Sequence, residues 1–359
     1  MLYLYSNGAE MLDNLDFIAQ IDKDNGLAIL AGQGHQLAQE FDVDTSSITN
    51  VENIVVAGMG GSVLAAEFIL NLKGGELPVP LNVCREYHLP GYVNEKTLVV
   101  ISSYSGNTAE TLSCLEDAQK RGAQIAVMTS GGELLKKALA NQQVTYQIPE
   151  GFQPRHSLLY QVKALATLLE SLGLLKGAIT ELEAVGTWAE EIIQGWVASV
   201  PTAENSAKQL AGKIFGKIGV VYAGPVLEFA ARNLKIALNE NAKNLAFTYA
   251  LPEFDHNEFQ GWAHPTDVPV AVVELQSSLD APEIAKRFSI GNRLLSGSMP
   301  APVIVQAEGK NQAEQLIWSI LFGGMVSAYV AVLNGEDPLP VAKVEKLKAE
   351  LAKEEDENN

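Results

Sequence analysis

At 359 residues, 47% hydrophobic and 19% charged, the chain can build substantial cores; this argues against disorder and makes two domains the expectation. With 25 Lys and Arg against 43 Asp and Glu, its formal charge of −18 argues against a nucleic-acid footprint or an anionic membrane surface, since both need clustered cations. Two cysteines, Cys84 and Cys114, make no disulfide framework and suit a reducing cytoplasm.

The N-terminus, MLYLYSNGAEMLDNLDF, lacks a basic start and a long apolar core, so no signal peptide is expected. Residues 1–50 read as a helical segment packing on the core, from the apolar spacing in MLDNLDFIAQI and GLAILAGQGHQLAQEF. A first α/β unit then spans 51–153. NIVVAG (53–58) is a strand ending in glycine, and SVLAAEFILNLK is a helix. VPLNVCR and TLVVISS are further strands, AETLSCLEDAQKRG a helix closed by Gly122, AQIAVMTS a strand, ELLKKALANQ a helix and VTYQIP a short last strand. Strands alternating with helices imply a parallel sheet covered on both faces.

Residues 154–205 read as a helical linker. A second unit, 206–350, opens on IGVVYAG (218–224), with VPVAVVEL and APVIVQAEG as later strands. Its start, GVVYAGPVLEFAARN, echoes IVVAGMGGSVLAAEF, which suggests a duplicated α/β unit. Between Glu314 and Glu336 run 21 uncharged residues, QLIWSILFGGMVSAYVAVLNG, long enough to cross a bilayer. Gln, Ser, Asn and Gly dilute the run, and acids rather than Lys and Arg flank it, so a buried helix is expected and no membrane partner. The acidic tail, 351–359, is expected to be disordered.

Two turns carry the chemistry. GMGGS (58–62) opens a helix, where backbone N–H groups and the helix dipole favour an anion. A dinucleotide fingerprint needs a further glycine where Val63 stands, so no nicotinamide or flavin cofactor is expected. The competing reading is a tight turn for close packing. SSYSGNT (102–108) follows the third strand, and Ser103, Ser105 and Thr108 can each aim a hydroxyl at an anion, with Gly106 relieving crowding and Thr108 placed to cap the next helix. Capping alone would use one hydroxyl. The five histidines show no close i, i+4 pair, and Cys84 with His88 has no further ligands, so no metal is expected.

SYSGNTAET with GMGGS upstream resembles the sugar isomerase (SIS) domain, which implies phosphosugar binding on a flavodoxin-like sheet. PRHS (154–157), NENAKN (239–244), PEFDHNEF (252–259) and LNGEDPLPV extend the likeness, and the chain resembles the bifunctional phosphoglucose/phosphomannose isomerase family along nearly its whole length. The resemblance implies two flavodoxin-like SIS domains, each a parallel sheet flanked by helices. It implies an aldose–ketose isomerase that needs no cofactor. Gly60, Gly61, Ser62, Ser103, Ser105 and Thr108 would bind the phosphate of a hexose phosphate. Glu240 would be the catalytic carboxylate, Arg155 would stabilise the intermediate, and His256 would reach the active site of the partner in a homodimer. Lys348, or its neighbour Lys346, would complete the site.

Shifting a carbonyl between two carbons needs a base that lifts a proton and returns it, and a cation for the enediolate. One departure stands out. Relatives often read Asp-Pro-Thr-Pro where this chain has Asp337-Pro338-Leu339-Pro340, which bears on mannose activity more than glucose activity. A non-catalytic phosphosugar sensor and an isomerase of another sugar phosphate also fit these residues.

Overall fold

The computed structural model describes residues 8–265 and 267–357, and the β-branched runs form nine strands there. β1 is Asn53–Ala57, β2 Leu81–Cys84, β3 Thr97–Ser102, β4 Gln124–Thr129 and β5 Val144–Gln147. β6 is Ile218–Ala223, β7 Ala246–Ala250, β8 Val270–Gln276 and β9 Val303–Gln306. The first sheet has the order β2-β1-β3-β4-β5 and the second β7-β6-β8-β9, and neighbouring strands are parallel throughout. The first is the flavodoxin-like order, and the second repeats it for four strands, so the echo between the two halves is a repeated topology.

Period-two side-chain alternation feeds both faces of each sheet. In β1, Ile54 and Val56 join the main core, while Val55 and Ala57 join an outer cluster with Cys114, Leu115 and Leu134. In the second sheet, Val221 and Val273 face the main core, and Val220, Tyr222 and Val272 face Ile284 and Phe288. Each such aliphatic side chain contributes about 1.5–3 kcal/mol on burial.

The apolar run between Glu314 and Glu336 forms the central helix Gln312–Asn334, in which Ala313 and every residue from Gln315 to Leu333 are buried inside the protein. A helix that is apolar all round belongs in a core. It lies against helices Glu228–Glu240, Ser206–Ile214 and Ala178–Ile192. The helical stretch before it is no loose tether: Leu158, Leu159, Val162, Leu165, Leu168 and Leu169 sit in the same core.

Two sequence expectations change. β7 was hidden in AFTYA because it is an edge strand with Phe247 52% exposed, so its burial pattern is weak. The last helix, Ala342–Glu357, continues past residue 351, so the acidic tail is helical to Glu357; its Lys, Glu and Ala residues are good helix formers. Residues 358 and 359 lie outside the described residues.

Candidate active site

In the first sheet, the chain goes from β1 to its neighbour β2 on one side and from β3 to β4 on the other. Such a switch point leaves a crevice beyond the C-terminal strand ends. Both motif turns lie there. After β1, the turn Gly60–Val63 leads into helix Leu64–Lys73. Gly60 is exposed at φ +53°, Gly61 is half-buried and Ser62 is buried. Ser62 Oγ accepts the Tyr104 N–H at 3.0 Å, and the Ser62 carbonyl accepts Ser102 Oγ at 2.6 Å, so the two turns are joined. Among the described bonds the Ser62 hydroxyl proton is unspent.

The second turn differs from its expected form. Ser103, 1% exposed, donates its proton to Thr108 Oγ1 at 3.1 Å and accepts the Gly106 N–H at 3.1 Å; it organises the loop from within, because its side chain turns under the turn. Thr108 precedes helix Ala109–Lys120 but makes no side-chain cap, because its oxygen is engaged by Ser103. Its own proton, and that of exposed Ser105, can still be donated outward. Gly106 sits at φ +70°, and a Cβ there would fall 1.8 Å from the Gly131 carbonyl, so no larger residue fits.

Arg155 crosses from the first unit to the second. Pro154 opens the short turn Pro154–Ser157, and a Cβ on Gly61 would fall 2.9 Å from the Arg155 nitrogen. The glycine turn is therefore seated directly on the arginine's backbone. The Arg155 side chain, 5% exposed, donates from Nε to Asn241 Oδ1 at 2.6 Å and from Nη1 to Glu240 Oε2 at 3.2 Å. Its Nη2 donates to the carbonyls of Pro338 at 3.0 Å and Leu339 at 2.9 Å. Burial lowers the guanidinium from its ordinary value, while the Glu240 charge opposes that shift. Glu240 ends helix Glu228–Glu240 with a side chain 34% exposed, partly in solvent and partly against the cation.

The Asp337–Pro340 loop thus serves Arg155 through its carbonyls. Asp337 Oδ2 accepts the N–H groups of Lys23 at 3.0 Å and Asp24 at 3.1 Å, which ties the loop to the N-terminal segment. The Leu339 side chain turns to Gly26, its Cγ 3.3 Å from where a Cβ there would sit.

Three groups at the site were not expected from sequence. Asn241 and His156 are both buried, and His156 Nε2 lies 3.2 Å from Asn241 Oδ1. Burial and then the Arg155 charge push His156 down to about 3, so it is neutral. Lys243 Nζ donates to the Asn241 carbonyl at 3.0 Å and to the Asp337 carbonyl. Their only sequence signal is position, within PRHS and NENAKN.

His256, Lys346 and Lys348 are not gathered at the Arg155–Glu240 pair by any described bond. His256 is exposed on the turn Glu253–His256 that follows β7. Both lysines are exposed on the last helix, although Glu345 of its first turn is near enough for its charge to act on Arg155. Among the described residues no group of three or more His, Cys, Asp or Glu could hold a metal ion, and both cysteines are free thiols.

The arrangement can hold an anion against hydroxyls and backbone amides, with a buried cation and a half-exposed carboxylate beside it. Residues 203–351 match the bacterial phospho-glucose isomerase C-terminal SIS domain. Over 327 residues the chain is 31% identical to the bifunctional phosphoglucose/phosphomannose isomerase of Caldicellulosiruptor bescii, covering 90% of this chain and 96% of that protein. The protein of the same name from Aquifex aeolicus is 32% identical over 316 residues, 88% of this chain and 95% of that one. A solved glucose-6-phosphate isomerase like protein from Thermus thermophilus is similar with a TM-score of 0.63 at 18% identity, covering 94% of this chain and 98% of that one, which speaks to fold alone.

Proposed function

The chain belongs to the bifunctional phosphoglucose/phosphomannose isomerase family, and from that premise we propose that it interconverts glucose 6-phosphate and mannose 6-phosphate with fructose 6-phosphate through a cis-enediolate. The phosphate rests against Gly60, Gly61, Ser62, Ser105 and Thr108, with Ser103 holding that loop. Glu240 takes the proton from C2 of the open-chain aldose and returns it to C1, while the hydroxyl proton moves from O2 to O1. Arg155 balances the negative charge on the enediolate oxygens. His256, with Lys348, assists ring opening. His256 is exposed, and we assign it to the site of a second copy in a homodimer.

Removing the C2 proton erases the stereocentre that separates glucose from mannose. One enediolate therefore serves both epimers, and no redox or metal step enters the scheme.

The observation that carries this reading is Arg155. Its backbone seats the glycine turn at one end, and its guanidinium binds Glu240 at the other. The distance between cradle and base is thereby fixed by one residue.

The test is a coupled assay from fructose 6-phosphate with glucose 6-phosphate and mannose 6-phosphate read separately. Turnover of wild type, lost by about a thousandfold or more in Glu240→Gln with substrate still bound, is expected. Wild-type binding without turnover would replace the enzyme by a sensor, and preference for a different sugar phosphate would replace the substrate. Mixing inactive Glu240→Gln and His256→Ala subunits should restore about a quarter of wild-type activity if the site is shared between copies. No restoration would remove the shared site.

A further inference from the structure

Arg155 can stabilise a transition state only if its fork is already aimed. Bonds to Asn241, Glu240, Pro338 and Leu339 use all but one of its N–H donors, leaving one Nη1 donor beside Glu240 for an incoming oxygen. What aims the fork is buried. Arg155 Nε can only donate, so the Asn241 amide must present Oδ1 to it. His156 Nε2 meets the same oxygen at 3.2 Å, so that ring nitrogen carries the proton. Asn241 Nδ2 donates to Ser327 Oγ at 2.9 Å, and Ser327 donates to the Gly324 carbonyl at 2.6 Å on the central helix. His156 Nδ1 has no hydrogen-bond partner among the described residues, and a cavity of about 20 Å³ lined by Gln33 and Asn233 adjoins the residue.

We propose that Asn241 is a positioning residue for the isomerisation: its amide, held by Ser327 and His156, fixes the Arg155 guanidinium against Glu240. Among the described bonds the Asn241 side chain joins Arg155, His156 and Ser327 and none of the cradle hydroxyls, so its amide acts on the reacting carbons through Arg155. The inference rests on the isomerase reading above.

The experiment compares purified wild type, Asn241→Ala and Ser327→Ala with fructose 6-phosphate as substrate and inorganic phosphate as competitive inhibitor. Expected for Asn241→Ala is a kcat about a hundredfold lower, with KM and the phosphate inhibition constant within about threefold of wild type. Ser327→Ala should show the same split at about three- to tenfold, because the amide keeps Arg155 but loses its anchor. Should Asn241→Ala fail to fold by circular dichroism, Ser327→Ala decides alone. A kcat within about twofold of wild type in a folded variant overturns the proposal. So does a kcat loss matched by an equal weakening of phosphate, since that marks a general disturbance of the pocket. If wild type itself turns over no substrate, the isomerase reading falls, and that failure is seen without any variant.

Discussion

The two sheets repeat one strand order, and each has a switch point, yet the two crevices hold different things. At the first, the turns after β1 and β3 contribute hydroxyls and glycines, with no carboxylate of their own inside. At the second, the turns after β6 and β8 close on Asp280. Its Oδ1 accepts the Val226 N–H at 3.1 Å, and its buried Oδ2 would lie 2.3 Å from a Cβ on Gly224. The double serine of that second loop is tied to the central helix: Ser277 donates to Gln315 Oε1 at 2.6 Å, and Gln315 Nε2 donates to Ser278 Oγ at 2.8 Å. The same topology thus leaves hydroxyls and glycines at one switch point and fills its counterpart with an internal carboxylate. The second unit contributes to the site from elsewhere, through the C-terminal end of helix Glu228–Glu240.

The largest test of this contrast is a pair of glycine substitutions. In Gly61→Ala the new Cβ meets the Arg155 nitrogen at 2.9 Å and the Pro154 carbonyl carbon at 3.0 Å, both backbone atoms that cannot step aside. We expect kcat/KM to fall by about a hundredfold or more, with a stability loss of about 1–3 kcal/mol. In Gly224→Ala the obstacle is the end of a side chain, so Asp280 is displaced. Thermal stability should drop by a few degrees, while kcat stays within about twofold. Equal activity losses in both variants would make the second switch point part of the active site and end the comparison.

Next in size is a pH effect from the first side. His156 is held neutral with its value pushed from the ordinary 6.5 down to about 3, so the unfolded chain binds one more proton between those values. Stability from this group is complete above pH 6.5 and is lost as pH falls toward 3. His156→Gln, which keeps a donor for Asn241, should flatten that limb by about 1.4 kcal/mol per pH unit in denaturant unfolding near pH 5. An unchanged slope would mean that His156 is solvated and already charged.

Much of this was legible in the sequence, and the missing parts share a cause. Strand runs, the two motif turns and the buried apolar helix each announce themselves within a dozen or so neighbouring residues. Family likeness pointed to Arg155 and Glu240, which the fold brings within 3.2 Å of each other. The Asn241 amide could not be read, because its partners come from segments 85 and 86 residues away that meet only in the fold. Ser103 looked like an outward hydroxyl because sequence gives a residue's place in a loop and not the side it turns to. Asp280 hid for a related reason: an aspartate in SSLDAP reads as an ordinary turn and helix-start signal.

The serines offer a smaller test. Ser62→Ala removes a hydroxyl donor and leaves the Tyr104 N–H unpaired. KM for fructose 6-phosphate should rise about tenfold with kcat within about threefold, since phosphate binding is lost from ground and transition states alike. Ser278→Ala, at the matching loop of the second sheet, should leave KM unchanged, because its partner is Gln315. A matching rise in KM for Ser278→Ala would show that the second loop also meets substrate.

The smallest expected effect belongs to Asp280, and its sign is opposite to that of His156. Burial raises its pKa above the ordinary carboxylate range, with the Val226 and Ser277 N–H groups pulling the other way. Its contribution to stability is therefore complete below the unfolded value and is lost as pH rises through the raised one. Asp280→Asn keeps an oxygen for the Val226 N–H and removes the titration. Its stability relative to wild type should improve as pH rises from about 4 toward 7, while kcat and KM stay at wild-type values. A relative stability that falls over that range would show that the ionised carboxylate is welcome in the second crevice, as a bound anion would be. That outcome would make the two switch points alike in what they attract, and different only in whether the anion is covalently their own.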